Sequence, residues 1–280
     1  TYSIKPNIYM GSACKAKGIP YVTNVQGLGT AFEKPVLSNV VSVMYRSALQ
    51  KARTVFFENE ENARFFLHKN IISAQQMKVL PGAGINLDEY PYVPMQDDGV
   101  CSFLFVGRIM KEKGVDEFFA AAKTVKAEFG EKVAFDVVGF YEDAYKETVD
   151  HLVADGVINF HGFQTDVHPF YEAADCVVLP SYHEGMSNVL LEGAATGRAL
   201  ITSDIPGCRE AVEDSVSGYL CPVQDAEALT NFFREFAGKT HVEQEQMGHC
   251  GRALIERKFD KRIVVAQTTE GLVLPVTARD

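Results

Sequence analysis

"CVVLPSYHEGMSNVLLEGAATGRALITSD", residues 176–204, decides the fold of this chain. An apolar run at 176–181 predicts a strand, the pattern from Ser187 predicts a helix, and a second apolar run at 199–204 predicts another strand. Strands that are apolar throughout and joined by a helix favour a parallel sheet, because both faces of such a sheet are covered. The stretch therefore predicts a strand–helix–strand unit of an α/β domain.

Similar apolar runs, separated by helical patterns, recur through the rest of the chain. From residue 100 onward there are six, at 102–107, 133–139, 157–162, 176–181, 199–204 and 218–223. Six parallel strands complete a doubly wound domain. The front of the chain gives only three strand patterns, at 19–25, 54–57 and 78–82. We therefore expect the chain to begin inside its first domain.

The stretch YPYVPMQDDG at residues 90–99 predicts a linker, because it combines two prolines with paired aspartates. We accordingly expect a partial N-terminal domain at 1–96 and a C-terminal domain at 97–262. An atypical tail is expected at 263–280. Charge favours the same division: residues 1–96 hold ten Lys and Arg against six Asp and Glu, whereas the remainder holds 17 against 31.

Composition excludes several classes of protein. The chain is 46% hydrophobic and 23% charged. It contains no run of 18 apolar residues, so the sequence predicts no transmembrane helix. Its six cysteines form no CxxC pair, which favours buried reduced thiols over disulfides or a zinc site. Basic residues are dispersed and no base-reading motif is present, so nucleic acid is not expected as a partner. We expect a cytoplasmic protein.

The first candidate site follows the strand at 102–107. In open α/β sheets, ligands bind at the carboxyl ends of the strands. There the arginine–lysine turn, residues 107–114, holds Gly107, Arg108 and Lys113. Arginine offers a bidentate fork and lysine a point charge, which together suit a diphosphate. A solvated basic turn is the alternative.

The second candidate site is the start of the helix in the opening stretch. Ser187 is a suitable N-cap, and the free amides of a helix start stabilise anions. Gly185 allows a ligand close to the backbone. Glu184 before the helix and Glu192 inside it can accept hydrogen bonds from sugar hydroxyls. The pattern suits a sugar–diphosphate–ribose ligand, and two exposed helix-surface glutamates are the alternative.

These motifs are similar to those of the retaining GT-B glycosyltransferases of family 4, in the branch that builds capsular and surface polysaccharides. The resemblance runs through "VLPGAGINLDEY", "FLFVGRIMKEKGVDEF" and "INFHGFQTDVHPFYEAADCVVLPSYHEGMSNVLLEG", and covers most of residues 6–260. The spacing of Glu184 and Glu192 is its most specific part. It implies an α/β fold of GT-B type: two Rossmann-like domains with parallel doubly wound sheets, the N-terminal one incomplete.

The resemblance also implies roles for individual residues. Arg108 and Lys113 would bind the donor diphosphate, Glu184 would face the donor hexose, and these three are the expected catalytic residues. The donor-binding set is Gly107, Phe163, Gln164, Gly185, Met186, Ser187, Asn188, Val189 and Glu192, with Glu192 on the ribose and Phe163 and Gln164 beside the base. The acceptor side of the cleft would include Gln26, Gly27, Gly29 and Gly84.

The activity implied is transfer of a hexose or N-acetylhexosamine from a UDP-sugar, with retention, to a saccharide acceptor. The acceptor would be lipid-linked or free, and a lipid-linked one would bring a peripheral contact with the inner face of the plasma membrane. No cofactor besides the donor and no metal is expected, because no DxD-type carboxylate pair is placed to hold a cation beside the nucleotide.

The chain departs from the family pattern at three places. Many relatives carry His or a small hydroxyl residue where this chain has Gln26, and Gly271 and Pro275 are expected to break the closing helix. The strand and glycine-containing loop with which the family's first domain normally begins are also not found before Thr1. Donor binding should survive these departures, whereas turnover by this chain alone is in doubt. A UDP-sugar epimerase of the same fold and a catalytically incomplete nucleotide-sugar binding fragment therefore remain as alternatives.

Overall fold

Two compact units make up the protein. A computed structural model describes residues 1–28, 32 and 35–272. Unit 1 contains residues 1–84 together with the chain from Lys261, and unit 2 contains residues 85–260. Each unit holds one parallel sheet with helices, so the α/β class expected from the sequence is confirmed.

Unit 1 is built on a three-stranded parallel sheet. Its strands, in spatial order, are β1 Val22–Val25, β2 Thr54–Phe57 and β3 Met77–Val79. Its helices are α1 Ile4–Lys17, α2 Pro35–Leu49 and α3 Glu60–His68. The core includes an aromatic cluster in which Phe66 meets Tyr45 and Phe57 edge-on, each with ring centroids 5.1 Å apart.

Unit 2 is built on a six-stranded parallel sheet. The strands are β4 Cys101–Val106, β5 Val133–Val138, β6 Asn159–Gly162, β7 Cys176–Leu179, β8 Ala199–Ser203 and β9 Gly218–Cys221. The helices are α4 Val115–Phe129, α5 Lys146–Ala154, α6 His168–Ala173, α7 Asn188–Thr196, α8 Ala226–Ala237 and α9 His241–Lys258. All six strands predicted from the sequence are present. The sheet order β6-β5-β4-β7-β8-β9 is that of a doubly wound fold.

A final helix returns the chain to unit 1. Helix α10, Lys261–Leu272, buries Val264 against Phe56 and Leu80. Gly271 lies in the last described turn of α10, one residue before its described end at Leu272, so the effect of Gly271 on the helix stays a prediction. Pro275 lies outside the described residues.

The division between the units differs from the predicted boundary at residue 96. The segment 90–99 is extended, but it belongs to unit 2 and is not a free linker. Tyr90 and Met95 are buried, the Val93 amide donates to the Thr196 carbonyl at 3.1 Å, and the Arg198 guanidinium donates to the Val93 carbonyl. The prolines and aspartates of this segment correctly predicted an irregular backbone. They gave no indication that the segment packs on unit 2.

One of the helical patterns between the predicted strands does not form an α-helix. This pattern, at residues 206–214 between the last two apolar runs, forms only a short 3₁₀ turn at Arg209–Ala211. Gly207 has a φ of 86° and lies so close to the Gly185 carbonyl that a Cβ would overlap it. The backbone at Gly207 is therefore shaped by a neighbouring loop and cannot start a helix there.

Two further findings concern chain-wide features. All six cysteines are free; Cys101, Cys176, Cys208 and Cys221 are buried, whereas Cys14 and Cys250 are half-buried. Within the residues that the structure describes, no helix is both long enough and apolar enough to cross a membrane.

The packing of α10 can be tested with two adjacent valines. Val264 is 3% exposed, whereas Val265 is 53% exposed. Val264→Ala should lower the free energy of unfolding by about 1–3 kcal/mol, because it opens a cavity in the cluster with Phe56 and Leu80. Val265→Ala should change it by less than about 0.5 kcal/mol. Urea unfolding followed by circular dichroism measures both, and equal effects would contradict the described packing.

Candidate functional site

The strand order of unit 2 places a topological switch point at the carboxyl edge of its sheet. Strands β4 and β7 are neighbours, and the chain runs outward from them in opposite directions. Ligands of doubly wound sheets bind at such a switch point, outside the carboxyl ends of the strands. The arginine–lysine turn follows β4, and the Glu184 loop, residues 180–187, follows β7. Both predicted candidate sites therefore meet at this position.

Backbone contacts hold the two loops together. The Glu112 carbonyl accepts hydrogen bonds from the Tyr182 amide at 2.9 Å and the Ser181 hydroxyl at 3.1 Å. Gly114, with a φ of 71°, lies so close to Pro180 that a Cβ would overlap the Pro180 carbonyl. Only glycine combines this conformation with this approach. The spacing of the two loops is consequently fixed by their backbones.

A salt bridge joins the side chains of the two loops. The Lys113 Nζ lies 2.5 Å from the Glu184 Oε1, and the two side chains are 23% and 14% exposed. Arg108, on the same turn, is exposed. The three residues expected to be catalytic therefore come from two adjacent loops, and two of them are in direct contact.

The amino end of helix α7 opens beside the Glu184 loop. Ser187 is the N-cap, and its hydroxyl accepts a hydrogen bond from the Leu190 amide at 3.4 Å, as predicted. The Ser187 amide donates to the Gly207 carbonyl at 2.9 Å. Within the part of the chain that the structure describes, the amides of Asn188 and Val189 have no acceptor. They are the donors available to an anion.

Glu192 projects from the second turn of α7 and is largely buried. The Tyr171 hydroxyl donates to its Oε2 at 2.8 Å. Burial raises the pKa of Glu192, and hydrogen bonds from Tyr171 and Tyr90 oppose that rise. The carboxylate is thus oriented by two tyrosines, and the interpretation of Glu192 as an exposed helix-surface residue is wrong.

The loops after β5 and β6 extend the same edge. Gly139 packs on the Gly107 carbonyl, and the Gly107 amide donates to the Val138 carbonyl at 2.9 Å. Phe163 is exposed, with its ring 6.3 Å from that of Phe140. Gln164 donates to the His161 carbonyl at 2.7 Å. These loops expose the aromatic rings of Phe140 and Phe163 at the same edge as the arginine–lysine turn.

Some predicted site residues lie elsewhere. Met186 is buried in the core of unit 2, so its side chain faces away from solvent and only its backbone could meet a ligand. Gln26 and Gly27 follow β1, and Gly84 follows β3, all in unit 1. Gly29 lies outside the described residues.

Sequence reasoning missed several polar contacts. Tyr171 and Tyr90 orient Glu192 but are 21 and 102 positions away from it, so no local spacing could reveal them. In unit 1, Glu58 follows β2 and is buried; burial raises its pKa, and hydrogen bonds to Gln26 and Asn24 oppose the rise. A carboxylate directly after a predicted strand was the available signal for Glu58.

A cavity of about 300 Å³ lies at the opposite edge of unit 2, by the amino ends of the strands. Its buried acid, Asp175, accepts hydrogen bonds from the Ser102 amide at 2.8 Å and the Ser102 hydroxyl at 3.2 Å. Asp175 therefore ties β4 to β7 and is not directed at a ligand. The carboxyl edge is the better candidate site.

One family model matches most of unit 2. Residues 101–237 match the family model described as Glycosyl transferases group 1. That match spans all six strands of unit 2, together with both loops of the candidate site.

Two curated relatives cover different shares of the chain. The N,N'-diacetylbacillosaminyl-diphospho-undecaprenol alpha-1,3-N-acetylgalactosaminyltransferase of Campylobacter jejuni is 27% identical over 81% of this chain and 64% of its own length. The capsular polysaccharide biosynthesis glycosyltransferase CapM of Staphylococcus aureus is 26% identical over 57% of this chain and 42% of its own length. The chain thus spans less than two thirds of the length of either relative.

A solved structure is similar over nearly the whole chain. HepE of Anabaena, crystallised with UDP, aligns with a TM-score of 0.81 at 18% identity and covers 97% of this chain and 77% of its own. The GT-B fold expected from the sequence is confirmed.

The close approach of the two loops can be tested at Gly114. Gly114→Ala should lower the free energy of unfolding by more than about 2 kcal/mol, because the new Cβ would overlap the Pro180 carbonyl. Gly156 has a similar φ of 68° with open space around it, so Gly156→Ala should cost only about 1 kcal/mol. Chemical denaturation of both variants measures the difference. Equal losses would show that the loops are not in contact.

Proposed function

Because residues 101–237 match the Glycosyl transferases group 1 family model, we propose that the chain is a glycosyltransferase acting on a UDP-sugar. It transfers a hexose or N-acetylhexosamine, with retention, to a lipid-linked or free saccharide in surface polysaccharide synthesis. The observation that carries the proposal is the meeting of the arginine–lysine turn with the start of α7 at one switch point. A nucleotide diphosphate spans such a pair of loops.

Charge complementarity supports the assignment of the diphosphate. When UDP leaves the anomeric carbon, its phosphate oxygens gain negative charge. Arg108, Lys113 and the amides of Asn188 and Val189 supply positive groups on a fixed backbone, which is electrostatic preorganisation. We propose that these groups act without a metal ion.

Hydrogen-bond chemistry supports the assignment of the nucleoside. Glu192 is held in place by Tyr171 and Tyr90, and its carboxylate oxygens can accept further hydrogen bonds from a vicinal diol. We assign the ribose to Glu192. The uracil then lies toward Phe163 and Gln164, where an exposed aromatic ring and an amide offer stacking and hydrogen bonding.

Glu184 is assigned to the donor sugar. Its salt bridge with Lys113 holds the carboxylate at the edge of the Glu184 loop, where hexose hydroxyls can donate to it. In the proposed step the bond between the anomeric carbon and the phosphate oxygen breaks, and the acceptor oxygen bonds the same face. The acceptor proton passes to the departing phosphate. Glu184 forms no covalent intermediate.

The relatives support the choice of acceptor and donor. The Campylobacter jejuni relative is named for transfer of an N-acetylhexosamine to a saccharide on a diphospho-undecaprenol, and the Staphylococcus aureus relative for capsular polysaccharide biosynthesis. We propose a lipid-linked saccharide as the acceptor of this chain, at the cytoplasmic face of the membrane.

UDP binding measured by calorimetry tests the donor site. Lys113→Ala and Glu192→Ala should each weaken UDP binding by about 10- to 100-fold, because each removes a charged hydrogen-bonding partner worth about 1.5–3 kcal/mol. Lys146→Ala is the matched control, since Lys146 is an exposed cation paired with Asp150 on α5. It should leave the affinity unchanged. Parent-like affinity in both site variants would remove the assignment.

Glu184→Gln separates binding from transfer. The substitution releases Lys113 from its salt bridge, so UDP affinity should stay level or rise. Transfer of labelled sugar from UDP-N-acetylhexosamine to a polyprenyl-diphosphate saccharide should fall by at least about 100-fold if the carboxylate positions the hexose.

The same assay on the parent chain decides between the proposed reaction and its rivals. Labelled acceptor supports transfer. An isomerised donor would indicate an epimerase, and bound donor without chemistry would indicate a binding fragment. Either of these two results would overturn the proposed reaction while leaving the donor site intact.

A further inference from the structure

Unit 1 buries a carboxylate, Glu58, that has no part in the donor site. Glu58 directly follows β2 and is 8% exposed. The next residue, Asn59, already caps helix α3, because its side chain accepts a hydrogen bond from the Asn62 amide at 2.9 Å. Glu58 is therefore not needed to start the helix. Burying a carboxylate is costly unless its partners compensate, so the partners of Glu58 indicate its role.

The partners of Glu58 are two side-chain amides at the end of β1. Strands β1 and β2 are parallel, with Val25 paired to Phe57. Gln26 and Glu58 come next in each strand and so leave the sheet side by side. The Glu58 carboxylate is hydrogen-bonded to the side chains of Gln26 and Asn24. An ionised carboxylate accepts and cannot donate, so both amides turn their NH₂ groups toward Glu58.

Asn24 shows that this orientation has a cost. Within the described residues, the Asn24 Oδ1 is buried and has no hydrogen-bond partner. Buried polar atoms are nearly always paired. Turning the amide over would direct this oxygen at the Glu58 carboxylate, and two acceptors repel each other. The hydrogen bond to Glu58 therefore decides the orientation of Asn24.

Gln26 is held by the same carboxylate but is exposed. With its NH₂ group on Glu58, its carbonyl oxygen is the atom that remains for a ligand. Gln26 lies at the carboxyl edge of a parallel sheet, where ligands of α/β domains bind. An amide oxygen accepts a hydrogen bond from a hydroxyl, so the ligand that fits this position is a saccharide.

We infer that Glu58 is a positioning residue for the acceptor: it holds the Gln26 amide so that the Gln26 carbonyl oxygen accepts a hydrogen bond from an acceptor hydroxyl. The inference rests on the proposed function, which supplies the acceptor. In the proposed step the attacking hydroxyl gives its proton to the departing phosphate, so it has none to donate to Gln26. Gln26 therefore binds a neighbouring hydroxyl and orients the sugar ring. Glu58 itself takes up no proton.

Protonation of Glu58 reverses the arrangement. The neutral acid donates a hydrogen bond, which draws the Gln26 oxygen inward and turns its NH₂ group outward. The described groups that face Glu58 are the two amides, and burial raises the pKa of Glu58 while these amides oppose the rise. The next acids along the chain, Glu60 and Glu61, are exposed on α3. Acceptor binding should therefore weaken as the pH falls through the raised pKa of Glu58.

Side-chain amide NMR tests the pairing without any ligand. In nitrogen-15-labelled protein, the Gln26 NH₂ resonances are identified by their loss in Gln26→Ala. They should shift as the pH falls from neutral to the range in which glutamates titrate, and this shift should be absent in Glu58→Gln. Gln76 is the internal control, because its amide donates to the Leu49 and Ala52 carbonyls at 2.9 and 2.7 Å, and carbonyls do not titrate.

The transfer assay tests the role in acceptor binding. Glu58→Gln keeps the size of the side chain but can donate as well as accept, so it no longer fixes the Gln26 amide. With a polyprenyl-diphosphate saccharide as acceptor, kcat/KM for the acceptor should fall by about 3- to 10-fold, the effect of one hydrogen bond. The decline of the parent's kcat/KM in acid should be absent in the variant. KM for the UDP-sugar should stay unchanged.

Glu60→Gln is the matched control for the transfer assay. Glu60 lies two positions after Glu58 on α3, and its side chain is 61% exposed. The control should keep the parent's kcat/KM and the parent's pH profile. Circular dichroism verifies that both variants are folded, and the NMR titration of the parent decides the pairing even if Glu58→Gln is unfolded.

Two results would overturn the inference alone. One is a Gln26 amide whose resonances do not shift over the titration range of glutamate. The other is an active parent chain together with a Glu58→Gln variant that keeps the parent's kcat/KM for the acceptor and its decline in acid. Absence of transfer by the parent, with the Gln26 titration as expected, would instead overturn the proposed function and the acceptor role together, and would leave only the pairing within unit 1.

Discussion

The candidate site of this protein depends on the distance between two backbones. Gly114 and Pro180 are so close that no side chain fits between the arginine–lysine turn and the Glu184 loop. Hydrogen bonds from Ser181 and Tyr182 to the Glu112 carbonyl fix the same spacing. The doubly wound strand order brings β4 and β7 side by side, so the contact follows from topology before any side chain is considered. The side chains of Lys113 and Glu184 then occupy an edge whose geometry is already set.

The salt bridge between Lys113 and Glu184 pairs two side chains that a bound sugar nucleotide would contact with different groups. In the structure each partner neutralises the other, and both are partly buried. A diphosphate would compete with Glu184 for the ammonium, whereas a sugar hydroxyl would compete with Lys113 for the carboxylate. A ligand that supplies both groups replaces both halves of the salt bridge at once, and this avoids leaving an unpaired charge in a partly buried place. The pairing therefore favours a complete sugar nucleotide over either of its parts.

Periodic patterns in the sequence were sufficient for the sheet of unit 2 and for the position of its loops. The apolar runs that became β4 and β7, together with Ser187 as an N-cap, located the carboxyl edge and the start of α7. What the sequence could not supply were contacts between residues far apart along the chain. Tyr171 on Glu192 and Val264 on Phe56 are examples, because neither has a local signature. The helical pattern at 206–214 failed for a similar reason, since the close approach of Gly207 to the Gly185 carbonyl places this glycine in a turn.

The return of α10 to unit 1 has a consequence for how the protein is made. Unit 2 is one continuous stretch of chain, so it can fold as soon as it leaves the ribosome. The cluster of Phe56, Leu80 and Val264 instead joins residues separated by about 180 to 210 positions, and it cannot close until helix α10 has been translated. During that interval the apolar surface under α10 is open to water and to chaperones. A nascent chain stalled after unit 2 would therefore expose an unfinished first unit beside a finished second one.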